Sequence, residues 1–378
     1  MKIKVLHVFK NMNPGGAETL IMNVFRNMDR NRIQFDFLLT SNEEGAYCKE
    51  IRDLGGNIYK LDSFSNKHPF KNILNAIDII RKNGNYDFIH LPMMFYSGWL
   101  CLAAYIAGIP NRIVHSHNAN EDTNSSIFRK IYIVISRFLI NKFSTIKISC
   151  GQRARDFLFG RNKKIINKTI ILHNGIDIAK FQNVNNKEVE NLKYELGIDK
   201  DELVIGEVAR FAKQKNHIFY IDLANYLKEN KIKAKIVLVG NGELKSNLET
   251  KIKENKLENY FILTGIRSDV NIFMNMFDVF CMPSIYEGFP VSVVESIASG
   301  TPCVLSDTIS DETNLVDNMV YYVNLNEDIS KWYETIKNCL EKDYDKKYAC
   351  KILTENGYNI ADVCKKIQEI YLKGVRND

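Results

Sequence analysis

The sequence predicts an α/β protein built from two doubly wound, Rossmann-like domains facing each other across a cleft. Three observations predict it. Short apolar segments alternate with helical patterns along residues 3–149, and the alternation restarts near residue 170. Strands that alternate with helices form parallel sheets covered on both faces. A chain of 378 residues has room for two domains of ordinary size. Glycine-bearing turns stand where strands lead into helices, at Gly15-Gly16 and at Gly288.

Composition sets the class. Hydrophobic content of 45% and charged content of 25% are those of a water-soluble globular chain. No apolar run reaches the roughly 18 residues of a spanning helix. The opening MKIKVLHVF reads as a strand with no cleavage site behind it, so no signal peptide is expected and the setting is cytoplasmic. The eight cysteines are scattered without a Cys-x-x-Cys pair, which fits buried thiols in a reducing compartment better than disulfides or zinc. Charge is uneven. Residues 1–170 carry 25 Lys and Arg against 13 Asp and Glu, a net of +12, whereas the remainder has 26 against 32, a net of −6. A basic first half points to an anionic partner: anionic lipid, a lipid-linked phosphate or nucleic acid.

In chain order, Ile3–Phe9 is a strand, and Asn13-Pro14-Gly15-Gly16-Ala17-Glu18 turns it into a helix through Leu20, Ile21, Val24 and Phe25. The glycines let backbone N–H groups approach a ligand, but they do not spell the G-x-G-x-x-G dinucleotide fingerprint. Further strands are expected at Ile33–Leu39, Asn57–Leu61, Asp87–Leu91, Arg112–His115 and Thr145–Ser149. Helices are expected at Ala46–Leu54, Phe70–Arg81, Ser97–Ala107 and Ile127–Phe143. The last is apolar on most faces, with basic residues at 129, 130, 137 and 142. It reads either as a helix lying on an anionic membrane or as a buried crossover helix, and we favour the buried reading. Ser116-His117-Asn118 falls at the same rim as Gly15-Gly16. The second half runs from Ile170-Ile171-Leu172-His173-Asn174 into a polar stretch, Asn183–Glu190, read as the linker. Strands follow at Leu203–Val208, Ala234–Val239, Tyr260–Leu263 and Phe277–Met282, and a terminal helical pattern covers Ile360–Leu372.

The segment from Val279 to Pro302 organises the second half. A strand ends at Pro283, a loop carries Glu287 and Gly288, and a helix from Val291 to Ala298 holds Glu295. A helix N-terminus behind a glycine loop attracts anions, because its first N–H groups lack partners. Two carboxylates beside such a cradle suit a ligand with hydroxyl donors. Arg210 and Lys215, at an earlier strand end, can hold a diphosphate, Arg as a fork and Lys as a point charge. Glu295 can accept the hydroxyls of a ribose.

Together these residues resemble the retaining glycosyltransferases of the GT4 family, whose fold is GT-B. Glu287-Gly288-Phe289-Pro290 … Glu295 is similar to the family's glutamate pair, and Arg210 … Lys215-Asn216 to its diphosphate clamp. Pro14-Gly15-Gly16-Ala17-Glu18 resembles its glycine loop, Ser116-His117 its histidine, Asn174-Gly175-Ile176-Asp177 its interdomain turn, and Gly265-Ile266-Arg267-Ser268-Asp269-Val270 its base-contacting loop. The set runs from residue 13 to 302 in the family's order. The His-Ser-His-Asn form and Ile309-Ser310-Asp311-Glu312 look closest to the capsular and exopolysaccharide branch.

The resemblance implies roles. Gly16 would offer its N–H to the donor diphosphate. His117 would hydrogen-bond the transferred sugar. Arg210 and Lys215 would neutralise the departing diphosphate. Glu287 would bind sugar hydroxyls, Glu295 the ribose, and Arg267 would lie against the base. Gly15, Asn174, Gly288, Phe289 and Pro290 complete the expected donor set, and His115 is read as structural. The implied domains are an acceptor-binding domain, 1–172, a nucleotide-sugar domain, 173–358, and a terminal helix, 359–378, that can cross back to the first. The implied reaction moves a sugar from a nucleotide sugar, UDP by family frequency, to a saccharide or polyprenyl-diphosphate-linked acceptor, with retention and without metal or other cofactor. The basic half would then touch anionic membrane on its inner face, and no nucleic acid is involved. The motifs supply no carboxylate nucleophile apart from Glu287, which stays a candidate. A nucleotide-sugar 2-epimerase of the same fold and a non-catalytic saccharide-binding protein remain alternatives. Turnover of donor without acceptor would mark the first, and absence of nucleotide-sugar binding the second.

Overall fold

The computed structural model describes residues 2–61, 69–117 and 126–374. Asn118, part of the His-Ser-His-Asn sequence, and the last four residues of the expected terminal segment lie outside the described residues. The chain divides into two compact units. One is Met1–Gly175 with Ile360–Asp378, and the other is Ile176–Asn359.

In the first unit β1 (Ile3–Phe9), α1 (Gly16–Asn27), β2 (Ile33–Leu39), α2 (Cys48–Asp53), β3 (Ile58–Lys60), α3 (Pro69–Lys82), β4 (Phe88–Leu91), α4 (Ser97–Ala107), β5 (Asn111–Ser116), α5 (Ile127–Phe143), β6 (Ile146–Ser149), α6 (Gln152–Phe159), α7 (Lys163–Lys168) and β7 (Thr169–Ile171) follow one another. The strands form one sheet in the order β3-β2-β1-β4-β5-β6-β7, each described pairing parallel. Its strands are apolar on both faces because both are covered. Val5, Phe9, Phe35 and Phe37 pack on one side, and Leu6, Val8, Ile89 and Val114 on the other. The order reverses between β1 and β4, so the loops after these strands open at a switch point, where α/β sheets bind ligands.

In the second unit α8 (Ile178–Gln182), α9 (Asn186–Glu195), β8 (Leu203–Val208), α10 (Phe219–Glu229), β9 (Ala234–Val239), α11 (Lys245–Glu254), β10 (Phe261–Gly265), α12 (Val270–Met276), β11 (Val279–Met282), α13 (Val291–Ala298), β12 (Cys303–Ser306), β13 (Val320–Val323), α14 (Ile329–Leu340) and α15 (Lys346–Glu355) build a parallel sheet in the order β10-β9-β8-β11-β12-β13. Its switch point lies between β8 and β11. The final helix, α16 (Ile360–Gly374), belongs to the first unit, where Val363, Cys364, Ile367 and Tyr371 enter the core beside β1 and β2.

Two sequence expectations need correction. The polar stretch Asn183–Glu190 is not a linker. Asn185 caps α9 through a capping box with Glu188, each side chain accepting from the other residue's backbone N–H, and the polar run is the start of a helix. The helix α5 is not a buried crossover. Only Ser136, Leu139 and Ile140 are buried, whereas Ile127, Phe128, Ile131, Val134, Ile135 and Phe138 are exposed. The buried face of α5 meets α4 closely at Ser136. Gly98 lies against the backbone of Ser136, where a Cβ would collide with its carbonyl, and Trp99 Nε1 donates to Ser136 Oγ at 3.0 Å. All eight cysteines are free and buried.

Candidate active site

In the second unit two loops meet at the switch point. The loop after β8 carries Arg210 and Lys215, and the loop after β11 carries Glu287. Three hydrogen bonds stitch them together: Ile285 N–H donates to Gln214 O (2.8 Å), Gln214 Nε2 to Tyr286 O (2.8 Å), and Asn216 Nδ2 to Pro283 O (3.2 Å). Asn216 adopts φ of 56°, the left-handed conformation that Asn tolerates better than most side chains, and this ends the turn that presents Lys215. The result is an ion pair of Lys215 Nζ with Glu287 Oε1 at 2.7 Å, the side chains 18% and 8% exposed.

Behind this pair, on β8, lies the fully buried Glu207, with its Oε2 3.4 Å from His217 Nε2. Burial pushes Glu207 up to about 8, although Lys215 pulls the other way. Burial and then Lys215 push His217 down to about 4. Both shifts favour the arrangement in which the shared proton sits on the carboxyl and the imidazole is neutral. Sequence reasoning missed Glu207 and Gln214. The only signal available was the position of Glu207 near the end of β8 and of Gln214 in the loop that follows it, both already assigned to the site.

Arg210 stands apart, 73% exposed and 4.0 Å from Glu243 Oε1. Its loop is backed by Gly240-Asn241-Gly242. Gly240 has φ of 144°, and a Cβ there would collide with the Ala209 carbonyl, so only glycine permits this approach. Arg267, after β10, is gripped in bidentate fashion by Asp269 (2.9 and 2.7 Å) and bonded to Glu195 (3.1 Å), and its guanidinium lies 5.1 Å over Phe273. Phe289 is buried and stacks on Tyr358, so it anchors the loop from behind. Pro290 sits at the N-cap of α13, where no side chain caps the first turn. Glu295, half-buried on α13, is pushed up to about 7 by burial, opposed by Lys180. Lys180, on α8, is a further cation beside this carboxylate that the motifs did not indicate.

In the first unit Gly15 takes an extended conformation at the N-cap of α1 and Gly16 begins the helix, again without a side-chain cap. A Cβ added to Gly16 would meet nothing within 4 Å, whereas one on Gly15 would run into the Glu18 carboxylate. His117 follows β5. Its Nδ1 lies 3.2 Å from Asn174 Oδ1, and its ring packs 3.9 Å from His115. Asn174 is thus engaged by the histidine. The structure joins Lys215 with Glu287 and His117 with Asn174, and it leaves Arg210 in solvent.

A two-sheet α/β chain with a cation–carboxylate pair at one switch point and a glycine loop at the other belongs to the class that handles nucleotide-activated groups. Comparison specifies the class. The Glycosyltransferase Family 4 model matches residues 14–180 and the Glycosyl transferases group 1 model matches residues 188–359. The putative glycosyltransferase EpsF of Bacillus subtilis (strain 168) is 37% identical over 97% of this chain and 96% of that one. An Escherichia coli UDP-Gal:alpha-D-GlcNAc-diphosphoundecaprenol alpha-1,3-galactosyltransferase is 26% identical over 100% and 98%. Among solved structures, Anabaena Alr3699/HepE in complex with UDP-glucose superposes with a TM-score of 0.79 at 19% identity, covering 98% of this chain and 100% of that one, which is a likeness of fold. The chain belongs to the glycosyltransferases described by these two family models and has the GT-B fold.

Proposed function

We propose that this glycosyltransferase transfers a sugar from a UDP-sugar to a polyprenyl-diphosphate-linked saccharide during synthesis of a cell-surface polysaccharide, with retention of configuration. The largely shielded Lys215–Glu287 pair carries the reading. A lysine fixed at a switch point can neutralise a departing diphosphate, and the adjoining carboxylate can take sugar hydroxyls. The relative that uses UDP-Gal and a diphosphoundecaprenol acceptor supports the donor and acceptor classes, and a Staphylococcus aureus relative, the capsular polysaccharide biosynthesis glycosyltransferase CapH, 25% identical over 98% of this chain, supports the polysaccharide setting. In the proposed step the bond from the anomeric carbon to the diphosphate oxygen breaks, the acceptor oxygen bonds to the same face, and the departing oxygen takes the acceptor's proton. Charge neutralisation by Lys215 and Arg210 makes the step independent of divalent metal. Assay of donor turnover in excess EDTA, with the product anomer read by NMR, tests both points. Loss of activity in EDTA or an inverted anomer would sink the respective claim.

The same reading places the first unit on anionic lipid. The exposed stripe Ile127, Ile131, Val134 and Phe138 has helical spacing and no acidic neighbour on α5. The cations flank it: Lys130 is exposed, Arg129 lies over Tyr132, and Lys142 over Phe138 and Phe143. Among the described residues no helix is long and apolar enough to cross a membrane, so an interfacial helix is the form such contact would take. The full chain should sediment with phosphatidylglycerol vesicles in a salt-sensitive way, and Val134→Ser with Phe138→Ser should abolish this without lowering thermal stability. Equal sedimentation with phosphatidylcholine vesicles, or self-association in place of vesicle binding, counts against it.

A further inference from the structure

Three histidines, to two of which the site description gives no part, lie in one row on the sheet of the first unit. His7 on β1, His90 on β4 and His115 on β5 occupy neighbouring strands on the face packed by Tyr371 of α16, and all three are buried. His90 Nδ1 is 2.8 Å from Tyr371 Oη, and His90 Nε2 is 3.2 Å from His115 Nδ1. His7 packs against Phe35 and Phe37, 5.1 Å from the His90 ring.

The direction of the protons follows from counting partners. Tyr371 is completely buried, and its hydroxyl has no bond among the described residues other than the one to His90. If the hydroxyl donates, His90 Nδ1 accepts, His90 Nε2 keeps the ring proton and donates to His115 Nδ1, and one group, His115 Nε2–H, is left unpaired. If the hydroxyl accepts, the run reverses, and both the phenol proton and a lone pair of His115 Nε2 are left unpaired in the core. Each buried polar group without a partner is unfavourable, so the donating arrangement prevails. His115 is then a neutral ring with its proton on Nε2. It forms one wall for His117, whose Nδ1 faces Asn174 Oδ1, an acceptor. An acceptor there requires the His117 proton on Nδ1 and leaves Nε2 bare.

We propose that Tyr371, His90 and His115 are positioning residues forming a proton-ordered chain that holds His117 neutral, with its Nε2 lone pair presented as an acceptor to a hydroxyl of the transferred sugar. This rests on His117 as a sugar contact. Burial supports the neutral state, pushing His90 down to about 3, His117 to about 4 and His115 well below the ordinary histidine value.

The test is a long-range proton–nitrogen NMR spectrum of the ligand-free full chain labelled at the histidine ring nitrogens. The expected spectrum at pH 7 shows His90 and His115 with the proton on Nε2 and His117 with it on Nδ1. In Tyr371→Phe, which keeps the ring against Phe35 and Phe88, His90 loses its donor, and the single-tautomer pattern of His90 and His115 should become mixed, while His117 keeps the tautomer that Asn174 fixes. With UDP-glucose, UDP-galactose or their N-acetyl forms, whichever the wild type turns over, kcat should fall roughly five- to tenfold and donor KM should stay within about twofold, the size of one lost hydrogen bond. A wild-type His90 protonated on Nδ1, a charged ring in the row, or tautomers unmoved by Tyr371→Phe overturns the chain. The wild-type spectrum alone decides its direction if the variant does not fold. Ordered tautomers with unchanged kcat in the variant overturn the positioning role. Ordered tautomers in a chain that turns over none of the four donors overturn the donor reading and leave the proton order standing.

Discussion

Lys215 and Glu287 are each other's only strong partner within the described site, and this makes their removal unequal in its effects. Lys215→Ala should lower kcat by roughly 10²- to 10³-fold, the effect of losing one fixed stabilising group. It should also cost about 1–3 kcal/mol of stability, because Glu287 is left charged and mostly buried. Lys215→Ala with Glu287→Gln should recover the stability and not the rate, as urea unfolding and turnover would show. The Glu207–His217 pair makes a second residue-level prediction. The unfolded chain ionises Glu207 from about pH 4.5, but the fold holds its proton to about 8, so stability is lost as pH rises through that window. His217 acts in the opposite sense: it stays neutral in the fold down to about 4 from an ordinary 6.5, so stability is lost as pH falls. Glu207→Gln should gain on the wild type between pH 5 and 9 in thermal melts, by a few kcal/mol at the alkaline end. A difference that stays constant with pH would contradict the assigned cause.

At the scale of elements, Asn185→Ala should destabilise the second unit by about 1 kcal/mol, read by urea unfolding, because it removes the side-chain acceptor for the Glu188 backbone N–H, one half of the capping box on α9. That box was legible in the sequence as Asn followed three residues later by Glu. The same polar residues also make a good linker, and composition alone does not separate the two. The error on α5 has a different origin. A helix apolar all round signals burial only when something is large enough to cover it. Nothing in the sequence of α5 says which of its faces α4 covers, or that the close approach at Ser136 requires the glycine at position 98. Strands were easier. β1, β2 and β8 appear at the residues expected for them, since runs of β-branched and aromatic residues between turns admit few other readings.

For the whole molecule, the parallel sheets followed from alternation, whereas the return of α16 to the first unit did not, because a helical period does not reveal which sheet a helix covers. The site was legible in part for a comparable reason. Charged residues at strand ends can be listed from sequence, but their partners depend on loop crossings such as that of Gln214 with Tyr286. Sequence therefore proposed Glu287 and Lys215 separately, and only the structure shows them paired. If the second unit takes the nucleotide sugar, the intact chain in EDTA should melt higher with UDP-sugars, by about 2.7 kcal/mol of added stability at a hundred times the dissociation constant. Replacing Lys215 should shrink that gain.

If the second unit takes the nucleotide sugar, the ion pair between the two loops would also act as a filter. A bare phosphate or nucleoside diphosphate that reaches for the lysine must evict a carboxylate and leave it without a counter-ion in a nearly closed place. A ligand that brings hydroxyl groups along with its diphosphate satisfies the evicted carboxylate in the same event. Such a site would require two chemical features to arrive together, and it would discriminate against simpler anions without any contact dedicated to rejecting them.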